Sequence, residues 1–172
     1  MKSSLLPRLL YVACLALVSV MARATTAPDN VDVHYKDPQH FTEARRSFGR
    51  HMIGADAYLE PLRAYIAQRA SRILAPGQRL DIEVTDVDRA GEYEPWRGPR
   101  FDDARIVKDI YPPRIELNFT LYGPDGNVQR KGHRKLRDAG FLSHNYLGAD
   151  QDSLRYEKSL IDLWLRKGAD KL

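Results

Sequence analysis

The stretch of sequence that decides the fold is R-L-D-I-E-V-T-D, residues Arg79–Asp86. Leu80, Ile82 and Val84 alternate with polar residues, which is the period of a β-strand with one buried and one solvated face. The same alternation returns in Arg114–Tyr122, where the inward positions are Ile115, Leu117, Phe119 and Leu121. We therefore predict two strands of one sheet and interpret the neighbouring segments around them.

Four further segments complete the predicted domain. Val31–Lys36 alternates like the first two strands, and Val128–Leu136 follows the turn Gly123–Asn127, which predicts a hairpin. Apolar residues at steps of three and four predict helices over Ala57–Leu74 and from Asp152 to about Lys167. This order predicts an α+β fold: a small, mostly antiparallel sheet of about four strands with two helices packed on one face, a two-layer sandwich.

The first 24 residues have the three parts of a secretory signal peptide. Lys2 and Arg8 precede an almost unbroken apolar run, and small residues stand at both positions that a signal peptidase reads, Ala22 and Ala24. The run is shorter than the ~18–20 residues that a membrane-spanning helix needs. We therefore expect residues 1–24 to be a signal peptide, cleavage near Ala24 and export to the periplasm. Residues 25–172 would then form a single α+β domain without a membrane span.

Composition excludes several classes of function. The chain has 27 basic and 23 acidic residues, and three of the basic residues lie in the predicted signal peptide, so the mature chain is close to neutral. A near-neutral chain has no electrostatic basis for binding nucleic acid. The one cysteine, Cys14, also lies in the predicted signal peptide, which excludes a disulfide or a zinc–thiolate site in the mature chain. A lipid anchor on Cys14 is the alternative to cleavage, although that cysteine lies in the middle of the apolar run.

The chain leaves the strand pattern between the two central strands. We call residues 86–114 the excursion; it contains seven acidic residues, six basic residues and the aromatic pair Tyr93 and Trp96. A loop this long is either functional or needs its own contacts to be ordered. The candidate site residues are Asp86, Asp88, Glu92, Tyr93, Glu94, Trp96 and Arg97.

Four interpretations of the excursion are open. The four carboxylates of residues 86–94 are candidates for a calcium site, but their spacing is not that of an EF-hand loop. The same carboxylates are candidates for glycoside hydrolysis, with Trp96 as a sugar platform. Tyr93, Trp96 and Arg97 are the residue types that dominate interface hot spots, which favours a binding surface. In the structural interpretation, the aromatic rings close the end of the core while the acids pair with arginines.

No motif for a metal, a cofactor or a catalytic triad is present. The five histidines show no ligand spacing, and there is no Gly-rich phosphate loop or dinucleotide fingerprint. Ser143-His144 lacks the Gly-x-Ser-x-Gly pattern of a nucleophile elbow. We therefore assign no catalytic residue, no metal ligand and no cofactor.

Four motifs carry a family resemblance that runs from about Val31 to the last helix, nearly all of the mature chain. They are V-T-D-V-D-R-A-G-E-Y-E-P-W-R-G-P (84–99), R-I-V-K-D-I-Y-P-P-R-I-E-L (105–117), G-H-R-K-L-R-D-A-G-F (132–141) and R-Y-E-K-S-L (155–160). Together they resemble the bacterial family catalogued as domain of unknown function 3016, except that Arg89 stands where an aliphatic residue is expected. The resemblance implies an exported protein of Gram-negative bacteria, and it implies no activity and no catalytic residues.

Two hypotheses remain from the sequence. In the first, a non-catalytic binding or accessory module of the envelope contacts a partner protein or an envelope polymer through the excursion, and Tyr93 and Trp96 are partly exposed. In the second, a hydrolase or metal-dependent enzyme uses the acidic cluster of residues 86–94. This second hypothesis requires at least two of the carboxylates to converge in a cleft without arginine neighbours.

Overall fold

The computed structural model describes residues 28–47, 56–101, 104–143 and 152–172. Its elements are β1 (Val31–Tyr35), α1 (Thr42–Ser47), α2 (Asp56–Ser71), β2 (Arg79–Asp88), β3 (Glu92–Tyr93), β4 (Arg105–Ile106), β5 (Arg114–Tyr122), β6 (Val128–Arg137) and α3 (Arg155–Leu165). The predicted signal peptide and the excursion acids Asp102 and Asp103 lie outside the described residues.

A four-stranded sheet in the order β1-β2-β5-β6 forms one layer. β2 pairs with β5, and β5 with β6, in antiparallel orientation. β1 pairs with β2 in parallel. A parallel pair needs a crossover connection, and α2 supplies it between β1 and β2. The expected α+β fold with a mostly antiparallel four-stranded sheet is confirmed, and β3 and β4 add a separate two-stranded sheet in the excursion.

Helices α2 and α3 form the second layer, and the core lies between them and the sheet. β2 and β5 contribute the alternating apolar residues predicted from the sequence, and all of these are buried. α3 packs its apolar stripe against β5, with the Trp164 and Phe119 rings 6.2 Å apart. The buried core residues of the helices include Tyr58, Leu59, Leu62, Ile66, Leu160, Ile161 and Trp164.

The ends of β2 and α2 differ from the prediction by two or three residues for local reasons. β2 continues beyond Asp86 to Asp88, because its register with β5 shifts between Val84 and Asp86 and the bulged strand keeps pairing. α2 ends at Ser71 instead of Leu74, because the Ile73 N–H donates to the Ala70 carbonyl at 3.1 Å and tightens the last turn.

The segment before α3 also differs from the prediction. The sequence predicts a helix from Asp152, but α3 starts at Arg155. The Asp152 carboxylate instead accepts the Leu154 N–H at 2.9 Å and the Lys158 ammonium at 2.7 Å. Asp152 therefore ties the entry turn to the first turn of the helix.

None of the described helices has the length and apolar character needed to cross a membrane.

Candidate functional site

The excursion folds back on itself as a small hairpin beside the main sheet. Glu92 and Tyr93 of β3 pair with Arg105 and Ile106 of β4. Gly91, just before β3, has a φ of +89°, and a Cβ there would lie 2.9 Å from the Arg105 Cγ. A side chain at position 91 would therefore be strained and would collide with β4, so this glycine is needed for the hairpin.

Arg105 lies at the base of the hairpin and connects it to α1. Its guanidinium forms an ion pair with the buried carboxylate of Glu43. The same guanidinium donates towards the carbonyls of Ala90 at 3.3 Å and Gly91 at 3.2 Å, and its Cζ lies 4.8 Å from the centre of the Tyr93 ring. Burial lowers the pKa of Arg105, but the Glu43 carboxylate and Tyr93 together outweigh burial and hold this pKa above its ordinary value.

Two of the predicted carboxylates are occupied by α1. Asp86 accepts the Thr42 backbone N–H at 2.6 Å and the Thr42 hydroxyl at 2.7 Å, so it caps the start of α1 from β2. The buried Asp88 pairs with Arg46 at 2.9 Å, and the same arginine nitrogen lies 2.9 Å from Glu92. Burial raises the pKa of Asp88, and Arg46 offsets part of that rise.

Glu94 joins the two turns at the far end of the excursion. Its Oε1 accepts the Lys108 ammonium at 2.5 Å and the Tyr111 hydroxyl at 3.0 Å, and its Oε2 forms an ion pair with the Arg97 Nε at 2.5 Å. Its side chain has almost no accessible surface. The hydrogen bond from Lys108, above all, holds the pKa of Glu94 below its ordinary value.

The turns that Glu94 joins expose two large apolar side chains. We call residues 94–98 and 108–111 the tip. Trp96 is 71% exposed and Ile110 is 63% exposed, and these are the two most exposed large hydrophobic residues of the described chain. Each is next to a residue that binds Glu94, Arg97 in one turn and Tyr111 in the other, so the tip is held from beneath while its apolar side chains face solvent.

The structure divides the predicted site residues into the tip and a second group, which we call the base. The base consists of Asp86, Asp88, Glu92 and Tyr93 with the partners that hold them and the start of β3 in place, Thr42, Glu43, Arg46, Arg105 and Glu157. Tyr93 is only 8% exposed, so the expectation that it is partly exposed is wrong: its ring lies against the Arg105 guanidinium instead of solvent. The expectation for Trp96 is confirmed. The base therefore follows the structural interpretation, with acids and arginines paired, and only the tip has the features of a binding surface.

Each of the four carboxylates of residues 86–94 is paired with a donor from the chain itself. Asp86 is bound to Thr42, Asp88 and Glu92 share Arg46, and Glu94 is bound to Lys108 and Arg97. These pairings are not the arrangement that a carboxylate hydrolase or a calcium site requires, because the oxygens are already used by donors from the chain itself.

Four side chains of the base were missed from the sequence: Glu43, Arg46, Arg105 and Glu157. Glu157 is the one for which a signal existed. It stands three, four and seven residues before Leu160, Ile161 and Trp164, on the apolar stripe of α3. Its Oε1 accepts the buried Ala90 N–H at 2.8 Å, its Oε2 has no hydrogen-bond partner among the described residues, and burial raises its pKa.

The geometry defines a class of protein: a small α+β domain with an ordered, internally paired insertion that ends in an exposed indole. The family model described as a protein of unknown function, DUF3016, matches residues 29–167, and the chain belongs to this family. No curated protein and no solved structure shows significant similarity to the chain.

Proposed function

We propose that the protein is an exported, non-catalytic binding module of the bacterial envelope, and that its tip docks onto a partner protein. The observation that carries the proposal is the 71% exposure of Trp96 on a turn that is fixed at its base by a buried carboxylate. Tryptophan and arginine are enriched at the energetic centres of protein interfaces, and both occur side by side at the tip.

The energetics favour a docking role for the tip. Leaving an aromatic side chain in water forgoes about 2 kcal/mol of burial free energy, and the chain does so here next to a second exposed apolar side chain, Ile110. Glu94 holds both turns before any partner arrives, so less conformational entropy is lost on docking. An aromatic that is fixed in place and unburied is therefore suited to contact a partner.

The export half of the proposal depends on residues 1–24. We expect the protein recovered from its native cells to begin at Thr25, because Ala22 and Ala24 are small residues at the two positions that the peptidase reads. Replacing Ala24 with arginine should leave the precursor uncleaved, as measured by mass spectrometry, whereas Ala27→Arg should be processed normally. Recovery of the full-length wild-type chain would refute cleavage.

The docking half is tested by crosslinking at position 96. A photoreactive phenylalanine analogue in place of Trp96 should form a discrete adduct in cells that produce the protein natively. The matched control places the same analogue at Leu142, which is also exposed but lies outside the excursion. An adduct that a cell-wall hydrolase reduces to nearly the size of the free protein would show that the partner is a polymer, which would overturn the choice of a protein partner.

Affinity for the crosslinked partner gives the size of the effect. We expect Trp96→Ala to weaken binding about 30-fold or more, because truncating a hot-spot tryptophan costs about 2 kcal/mol or more. Leu142→Ala should change the affinity less than about twofold, as expected for a side chain outside the contact. The chain has two tryptophans and Trp164 is buried, so a blue shift of fluorescence on binding would report burial of Trp96. Equal affinities of wild type and Trp96→Ala would remove the proposal.

A further inference from the structure

The face of the sheet that α2 and α3 do not cover carries a separate group of side chains on β1 and β2. The parallel register places Asp32 beside Asp81 and His34 beside Glu83. The residues between them, among them Val33 and Ile82, are buried under the helices. Because side chains of a strand alternate between its faces, all four polar side chains extend from the opposite face.

Three of these side chains come together at distances suited to one ion. One ligand atom each of Asp32, His34 and Asp81 lie within 4.8 Å of one another. Nδ1 of His34 is 3.4 Å from Oδ1 of Asp81, and Nε2 of the same ring is 3.9 Å from Oε1 of Glu83. The imidazole therefore stands between two carboxylates, and a third lies within reach.

The charges of this group are not balanced as they are in the excursion. Among the described residues, no lysine or arginine forms an ion pair with Asp32, Asp81 or Glu83, whereas Asp88 and Glu94 each have at least one. In addition, Oδ1 of Asp81 is inaccessible to solvent and accepts no hydrogen bond in the described part of the chain. The three carboxylates around this imidazole thus lack the lysine or arginine partner that Asp88 and Glu94 have.

We propose that Asp32, His34 and Asp81 form a binding site for a divalent transition-metal ion of the zinc class, with Glu83 at its margin. One imidazole nitrogen with carboxylate oxygens is a ligand set that suits zinc and its first-row neighbours, while calcium takes six to eight oxygens. Ligand atoms around a tetrahedral zinc lie about 3.4 Å apart, given bond lengths of about 2.0–2.1 Å. Small rotations of these partly exposed side chains close the difference.

The geometry leaves coordination positions for other ligands. Three protein ligands on an open sheet face leave at least one position of a four-coordinate zinc to water or to a donor from another molecule. The histidine spacing alone did not predict this site, because its ligands come from two strands that are paired only in the fold. The site shares no residue with the tip, so it stands or falls independently of the proposed docking function.

Titration of zinc chloride into the untagged, chelator-treated full chain tests the site. We expect one ion per chain by calorimetry and an increase in the midpoint of thermal unfolding with zinc, because an ion that binds only the folded chain stabilises it. His34→Ala and Asp81→Asn should each weaken binding roughly tenfold or more, since losing even an outer-shell partner of a metal costs about 10–100-fold.

The control for that titration is His133→Ala. His133 lies on β6 in the same row of the sheet face, where its ring pairs with Asn118 at 3.0 Å, and it is not part of the three-residue group. Binding to His133→Ala should stay within about twofold of wild type, well below the loss expected for a ligand. No binding to the wild type, or binding that His34→Ala leaves intact, would overturn the proposal. Equal weakening by His133→Ala and His34→Ala would do so as well, because it would show non-specific histidine binding.

Discussion

Replacing Arg105 with alanine is expected to lower the free energy of unfolding by about 3–5 kcal/mol, as removing one partner of a buried ion pair does. The substitution takes the guanidinium away from the buried carboxylate of Glu43. It also removes the donor that faces the carbonyls of Ala90 and Gly91 and the cation that covers Tyr93. Chemical denaturation followed by circular dichroism measures the change.

Two comparisons separate the buried pair from an ordinary loss of charge. Lys135→Ala removes the exposed partner of Glu116 on β6 and should change stability by less than about 1 kcal/mol. The double variant Glu43→Gln, Arg105→Ala no longer buries an uncompensated charge, so it should recover on the order of 1 kcal/mol of the loss. If Arg105→Ala were as mild as Lys135→Ala, the base of the excursion would not depend on this contact.

Substitutions of Glu157 are expected to act in opposite directions. Glu157→Ala removes the acceptor of the buried Ala90 N–H and leaves a cavity on the apolar stripe of α3, at a cost of about 2–4 kcal/mol. Glu157→Gln keeps a carbonyl oxygen for that N–H and carries no charge, so at neutral pH it should be at least as stable as the wild type. Denaturation curves at several pH values measure both.

The dependence on pH follows from the direction of the pKa shift. Burial raises the pKa of Glu157 above its ordinary value of 4.5, so the folded state favours the protonated form. The stability that this provides is complete below the ordinary value and is lost as the pH rises through the raised one, at about 1.4 kcal/mol for each pKa unit. Wild type and Glu157→Gln should therefore be equally stable near pH 4, and the variant should gain as the pH approaches 7.

A variant on the surface provides the control for Glu157. Glu60 is exposed on α2, where it pairs with Arg63 one helical turn away, so Glu60→Gln should change stability by less than about 0.5 kcal/mol at either pH. If the free energy of unfolding at pH 7 were higher for the wild type than for Glu157→Gln, the Glu157 carboxylate would be better stabilised as an anion than its burial indicates.

The sheet and the helices were predictable because their signals are local. β5 has the predicted bounds, Arg114–Tyr122, since each of its inward positions is apolar and a strong turn follows it. The two extra residues of β2 were not predictable from its own pattern, because the shift in register at Thr85 depends on the pairing with β5. Local alternation therefore predicts where a strand is but not where a bulge prolongs it.

The candidate site was only partly predictable because its partners are distant in sequence. Arg105 pairs with Glu43, 62 residues away, and Arg46 with Asp88, 42 residues away. A chain with many acids and arginines offers many such pairs, and local patterns do not choose among them. The same limit explains Tyr93 and Trp96: they are close in sequence and similar in type, yet of the two only Tyr93 has a guanidinium of a described residue to lie against.

The parallel pairing of β1 with β2 also sets the order in which the chain can assemble. Val31 finds its neighbour only at Leu80, on the far side of α2. In a chain that is synthesised from its amino terminus, β1 therefore has no strand partner until the residues of β2 have emerged. Contacts between residues so distant in sequence form slowly, so we expect the pairing of β1 with β2 to form later than the local hairpin of β5 and β6.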